Sequence, residues 1–262
     1  MLIGDYVHCF QSEWLKKKRS LGSWLIVVGA LFTPTIIVAA RLLHRSKLPA
    51  LYAANDFWTV YWRSSWESMA IFFLPMAAIL VTSLIVQIEY RNNAWKQVHT
   101  LPLGLTTIYF SKLAVVLVMM TEFILLFDVA VYVSAMLPAA LLRDVSYPLA
   151  HLPFRDFAAD TGRYWLASLP IVVAQYVLSL RFRNFLVAVG IGFMTWVGAL
   201  AALSWKGGYI LPYIYTMLDY LRDDPKTRIT LPTSQLNSWA IGYTLCFTLI
   251  GYLIFVSKQQ KG

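Results

Sequence analysis

The sequence predicts an all-α polytopic membrane protein. It has six transmembrane helices, an interfacial helix before the first, and a short cytoplasmic helix between the second and third. Two observations carry this prediction. Of 262 residues, 59% are hydrophobic and only 13% are charged, where a soluble domain is nearer half apolar and a quarter charged. A soluble core of this size cannot hide so much apolar surface, so a bilayer must. The apolar residues also gather into six stretches, at 21–40, 68–88, 113–138, 164–180, 185–205 and 239–257. Each is near the roughly 20 residues that cross a hydrocarbon core about 30 Å thick. No internal repeat divides the chain, so residues 1–262 read as one transmembrane domain.

Taken in order, residues 1–20 mix Leu2, Ile3, Tyr6, Val7, Phe10, Trp14 and Leu15 with polar side chains. Positions 3, 6, 7, 10 and 14 keep helical spacing. Such a helix lies in the membrane plane, apolar face down, with Lys16, Lys17, Lys18 and Arg19 near the headgroups. The alternative is a frayed cytosolic tail. The first apolar run is too long for a cleaved signal core and right for a spanning helix. The third run is long enough to tilt or reach the interface, and the fourth is the shortest. Pro34, Pro75 and Pro170 lie inside spans, where each removes a backbone donor and can bend its helix. Span five carries Ala188, Gly192, Ala199 and Ala202, small residues that let helices pack closely, within the subunit or at a dimer seam.

Lysine and arginine set the orientation. The 22 Lys and Arg divide evenly between the two sides, but the inner segments 1–20, 89–112, 181–184 and 258–262 are shorter and so more densely charged. The basic cluster ending at Arg19 abuts the first span, which usually dominates. The outer loops carry Asp56, Glu67, Asp144, Asp156, Asp160, Asp219, Asp223 and Asp224. Both termini are therefore expected in the cytoplasm. The net charge of +9 has the same origin, and no basic stripe interleaved with exposed aromatics points to nucleic acid. Trp24, Trp58, Trp62, Trp66, Trp165, Trp205 and Trp239 fall near span ends, where indole rings settle between lipid and water; the alternative is ordinary packing.

Two connecting regions carry more information. In 89–112, Tyr90 to Thr100 can form a short helix, because Pro102 disfavours helix at Leu101. Gly104 permits a turn, and Thr106 or Thr107 can cap the next helix. Trp95 and Val98 share one face of the short helix. A Trp there either anchors a protein partner or packs against its own bundle. In 206–238, the aromatic-rich piece 209–221 reads as an outer-surface or re-entrant helix. Cys9 and Cys246 read as free thiols, and His8, His44, His99 and His151 are too scattered for a metal.

Two motifs resemble the type-2 ABC exporter permeases. The first is S-E-W-L-K-K-K-R-S before the first span. The second is E-Y-R-N-N-A-W-K-Q-V-H-T-L-P-L, followed by S-K-L at the third span. Glu89, Trp95, Lys96, Leu101, Pro102 and Lys112 match that family's first cytoplasmic loop, while Asn93-Ala94 stand where it more often has Gly-Thr. The six-span permeases of bacteriocin-immunity and peptide-antibiotic exporters are the most similar subgroup. The resemblance implies a multi-pass protein of the bacterial inner (plasma) membrane that moves a peptide, antibiotic or lipid-like substrate outward. It implies nucleotide-binding ATPase subunits as partners, with ATP and Mg bound there, and a second permease copy or a homologous permease. It makes the loop helix a coupling helix, with Glu89, Arg91, Trp95, Lys96, Val98 and His99 contacting the ATPase. The residues agree that the chain is not an enzyme: no phosphate-cradling GxxxxGK[ST] loop occurs, and Gly190-Ile-Gly192 lacks the third glycine of a dinucleotide site.

Polar residues inside spans are costly and face a bundle interior or water. Glu122 and Asp128 lie in span three, about 600° of helical rotation apart, so they are no acid–base pair. Glu122 and Gln175 are candidates for a polar translocation path, Glu122 equally for an ion pair across helices; the alternative for Glu122 is a protonated or snorkelling residue with a structural partner. Asp128, nearer the outer end, reads as structural. Two other classes compete with a permease. A membrane-embedded transferase needs clustered His, Asp, Glu or Ser, which the sequence lacks. A non-transporting scaffold or sensor would show no dependence on an ATPase.

Overall fold

The computed structural model describes residues 3–18, 20–91, 104–148, 150–205, 207–222 and 235–259. Among them every regular element is helical. The leader forms α1 (Ile3–Lys17). Ser20 then turns the chain: its backbone is extended and its hydroxyl accepts the Ser23 N–H at 3.3 Å, which caps α2 (Leu21–Leu43).

The expected outer loop 41–67 is mostly helix. A 3-10 turn (Arg45–Lys47) leads into α3 (Leu48–Tyr52) and then α4 (Phe57–Ser68). α4 passes through a π-turn (Met69–Phe73) directly into α5 (Leu74–Arg91). Pro75 explains the π-turn. It has no N–H and its ring crowds the preceding turn, and the wider turn relieves both.

This early start changes the role of three tryptophans expected at the membrane interface. Trp58, Trp62 and Trp66 are buried packing residues. Trp62 stacks on Phe157 at 4.2 Å and Trp66 on Tyr164 at 4.1 Å between ring centroids. Trp24 and Trp205 do remain exposed.

The longest helix, α6 (Leu105–Leu141), forms the spine. α1 and α2 pack along it. α7 (Phe154–Arg181) lies beside α5 and α10 (Leu236–Gln259), and α8 (Phe185–Ala201) covers α5. Asn184 caps α8 by accepting the Leu186 N–H at 2.9 Å. α2, α8 and α10 keep most of their apolar surface facing outward, while α4, α5 and α6 carry most of the buried core.

Five helices among the described residues are long and apolar enough to cross a membrane, one fewer than expected. They are Leu21–Leu43, Phe57–Ile88, Leu105–Leu141, Phe185–Ser204 and Leu236–Ser257. The expected fourth span, 164–180, lies in α7, whose composition is too polar to count. The reason is its surroundings. Protein rather than lipid covers this part of α7, so it tolerates Ser168, Gln175 and Ser179, all buried.

Both described ends of the chain meet at one end of the bundle, called here the leader end. Tyr6 of α1 donates to the Phe110 carbonyl at 3.4 Å, and Phe255 of α10 lies 5.7 Å from Tyr109. At the far end, residues 207–222 fold inward rather than over the surface. Two 3-10 turns (Gly208–Ile210 and Pro212–Ile214) lead into α9 (Tyr215–Arg222). Gly208 makes the close approach possible, since a Cβ there would lie 2.5 Å from the Ala202 carbonyl. Tyr213 reaches Gln175 of α7, its hydroxyl 3.5 Å from Oε1.

Candidate functional site

The loop that the sequence singles out joins α5 to α6 at the leader end. Glu89 and Arg91 fall in the last turn of α5. Trp95, Lys96, Val98 and His99, with Leu101 and Pro102, lie outside the described residues. What the structure does place is the pair of helix ends that the loop connects.

α5 is tied at this end to the turn between α7 and α8. The Tyr90 hydroxyl donates to the Leu180 carbonyl at 2.7 Å, and Gln87 Nε2 to the Arg183 carbonyl at 2.8 Å. α6 starts from Gly104 in extended backbone, without a side-chain cap. The expected threonine cap is not used: the Thr106 hydroxyl instead shares a 2.7 Å hydrogen bond with the Tyr252 hydroxyl of α10. Tyr109 carries the junction further. Its hydroxyl donates to the Thr248 carbonyl of α10 at 3.1 Å, and its carbonyl accepts the Tyr176 hydroxyl of α7 at 2.8 Å.

The other side of α6 is clamped to the leader. Cys9, Glu13 and Lys17 recur at every fourth position, so they form one stripe of α1, and all three are buried. Lys112 of α6, 1% exposed, places its Nζ 2.6 Å from Glu13 Oε2, and Lys16 sits 2.5 Å from Oε1. Lys17 pairs with Glu122 and lies over the Trp14 ring, 3.6 Å from its centroid. The leader thus docks by an ion-paired stripe beside Phe10 and Trp14, which pack against the core, while Val7 of the expected apolar face is exposed.

Burial raises the Glu13 carboxyl, but Lys112 and Lys16 more than offset this, so the net shift is downward from 4.5. Burial raises the Cys9 thiol. For a carboxylate lowered on folding, the stabilisation is complete above its unfolded value and lost as pH falls through the folded one. Wild type is therefore expected to lose thermal stability below about pH 4.5 more steeply than Glu13→Gln, the reference being the unfolded value. Melting temperatures of both proteins across that range check this, and parallel curves would contradict it.

The two candidate path residues separate. Glu122 is part of the leader clamp, realising the cross-helix ion pair. Gln175 is fully buried and bridges three helices: its Nε2 donates to Ser83 Oγ at 2.8 Å and to the Ala188 carbonyl at 2.9 Å. Gly192 makes room for it, since a Cβ there would lie 2.3 Å from Gln175 Oε1. Asp128 accepts the Thr161 hydroxyl at 2.7 Å, linking α6 to α7.

Two features escaped the sequence. Glu13 and Lys112 each stood in a noted motif, but nothing in the chain said that residues 99 apart would meet. Asp219 is fully buried, 3.7 Å from Arg163 and 3.4 Å from Arg222, and ties α9 to α7. Its only signal was a carboxylate inside an aromatic stretch.

A family model described as ABC-2 family transporter protein matches residues 9–199. That match runs from the buried face of α1, through the clamp and the α5–α6 loop, into α8. No curated protein matches the chain. With most of its length covered by the family model, the chain belongs to the ABC-2 family of transporter proteins, as a multi-pass membrane permease.

Proposed function

We propose that this permease is the membrane subunit of an ATP-driven exporter, and that separate ATPase subunits dock on its leader end around Glu89, Arg91, Trp95, Lys96, Val98 and His99. ATP and Mg are bound by those subunits. The substrate is a peptide, antibiotic or lipid-like molecule moved outward across a bacterial inner membrane. The wiring of α6 carries this reading. Its first turns touch α1, α7 and α10, while α5 enters the same loop tied to the α7–α8 turn. A push on residues 92–103 therefore reaches helices on both sides of the bundle.

Both termini are assigned to the cytoplasm, in keeping with their common end. α7 serves as a sixth crossing shielded by protein. Its Phe157 stacks on Trp62 near the far end and its Leu180 meets Tyr90 at the leader end. The outward apolar faces of α2, α8 and α10 meet lipid or a second permease copy.

Affinity purification from the native membrane is expected to recover an ATPase bearing a phosphate-binding loop. Trp95→Asp, and Lys96→Glu, are expected to abolish substrate-stimulated ATPase and export while leaving the melting temperature unchanged. Normal coupling in a folded Trp95→Asp protein would overturn the docking assignment. Recovery without any ATPase would favour a scaffold or sensor.

A further inference from the structure

We propose that the elbow between α2 and α4 binds anionic phospholipid headgroups in the leaflet at the far end of the bundle. Residues 41–55 contain Arg41, Arg45 and Lys47 and no carboxylate. Arg41 is committed inward. Its guanidinium donates to the Tyr52 hydroxyl at 3.0 Å and lies 4.0 Å from the Tyr61 ring centroid. Arg45 and Lys47, in the 3-10 turn, are exposed. Among the described residues neither meets a carboxylate.

Apolar side chains stand beside these cations. Leu43 is 82% exposed and Leu51 38% exposed. The elbow is also anchored. Leu48 and Tyr52 of α3 are buried, and the Tyr52 hydroxyl donates to the Ala135 carbonyl at 2.7 Å. Cations and exposed leucines fixed at the end of a spanning helix match the headgroup layer, with leucines at the acyl boundary and charges at the phosphates. On the orientation proposed above, this positive charge runs against the cytoplasmic bias of lysine and arginine, so it has a cause other than topology. Charge complementarity selects an anionic lipid over a zwitterionic one. A soluble anion would give the leucines no role.

The test places a fluorophore on Ser46→Cys in a Cys246→Ser background of the full chain. The protein is held in phosphatidylcholine nanodiscs doped with brominated phosphatidylglycerol or brominated phosphatidylcholine. Quenching is expected at far lower mole fractions of the anionic lipid. Arg45→Ser with Lys47→Ser is expected to remove about 30-fold of that selectivity, about fivefold per cation. The melting temperature is expected to hold, since both side chains are exposed. Equal quenching by the two lipids, unchanged selectivity in the double variant, or displacement of the anionic lipid by millimolar inorganic phosphate would each overturn the proposal.

Discussion

Lys112→Met is expected to destabilise the protein by about 3 kcal/mol, the low end of the range for breaking a buried ion pair. The lysine is 1% exposed and its partner Glu13 only 7%. Removing the ammonium strands a carboxylate that cannot return to water without undocking α1. The cost stays at the low end because Lys16 still holds the other carboxylate oxygen. Replacing both partners, Glu13→Gln with Lys112→Met, is expected to recover much of the loss, because an uncharged pair no longer strands a charge. Thermal melting in detergent would measure both, and a double variant no better than Lys112→Met would show that the pair holds α1 by packing alone. On the proposed coupling route the clamp also lies in the path, because α6 carries the start of the third span and α1 touches it within two turns of the loop. Export is therefore expected to fail in Lys112→Met and to return partly in the double variant.

Gly251→Ala is expected to cost about 1–3 kcal/mol, as overpacking does in a well-packed interior. An added Cβ would lie 2.3 Å from Val177 Cγ2 and 2.7 Å from the Tyr109 hydroxyl oxygen. Val177 is β-branched, so no alternative rotamer moves it aside at little cost. Tyr109 is held by the Thr248 carbonyl, so yielding breaks a hydrogen bond at the α6–α10 junction. The methyl group thus forces α10 away from α7 where the signal from the loop is expected to pass. Gly242 has nothing within 4 Å of its ideal Cβ, so Gly242→Ala on the same helix serves as the control. Equal melting temperatures for the two variants would mean that the junction relaxes freely.

The helices were largely legible in the chain, and their boundaries were not. Apolar runs marked five spans because lipid accepts only apolar faces, and that constraint acts on each helix separately. It weakened where protein replaced lipid. α7 tolerates Gln175, Ser179 and Arg163 because neighbouring helices answer them, which is why its composition falls short. Local signals also misled at α4. The polar and aromatic stretch before Ser68 looked like a loop with interfacial tryptophans, yet it is a helix whose buried rings stack on Tyr132 of α6 and Tyr164 of α7. Helical spacing put the leader in a helix, and Phe10 and Trp14 of its expected apolar face pack against the core, but Val7 is exposed and the charged stripe beside them was not foreseen. α1 docks by Cys9, Glu13 and Lys17 because α6 offers it Lys112 and Glu122.

Composition and spacing therefore sufficed for the class and for the number of long apolar helices to within one, since each depends on neighbours along the chain. The leader clamp, the Gln175 bridge and the inward fold of 207–222 depend on partners 99, 92 and 38 positions away. A charge or amide has the same sequence whether it meets water or a partner. Its energy is set by what surrounds it, and packing alone supplies that.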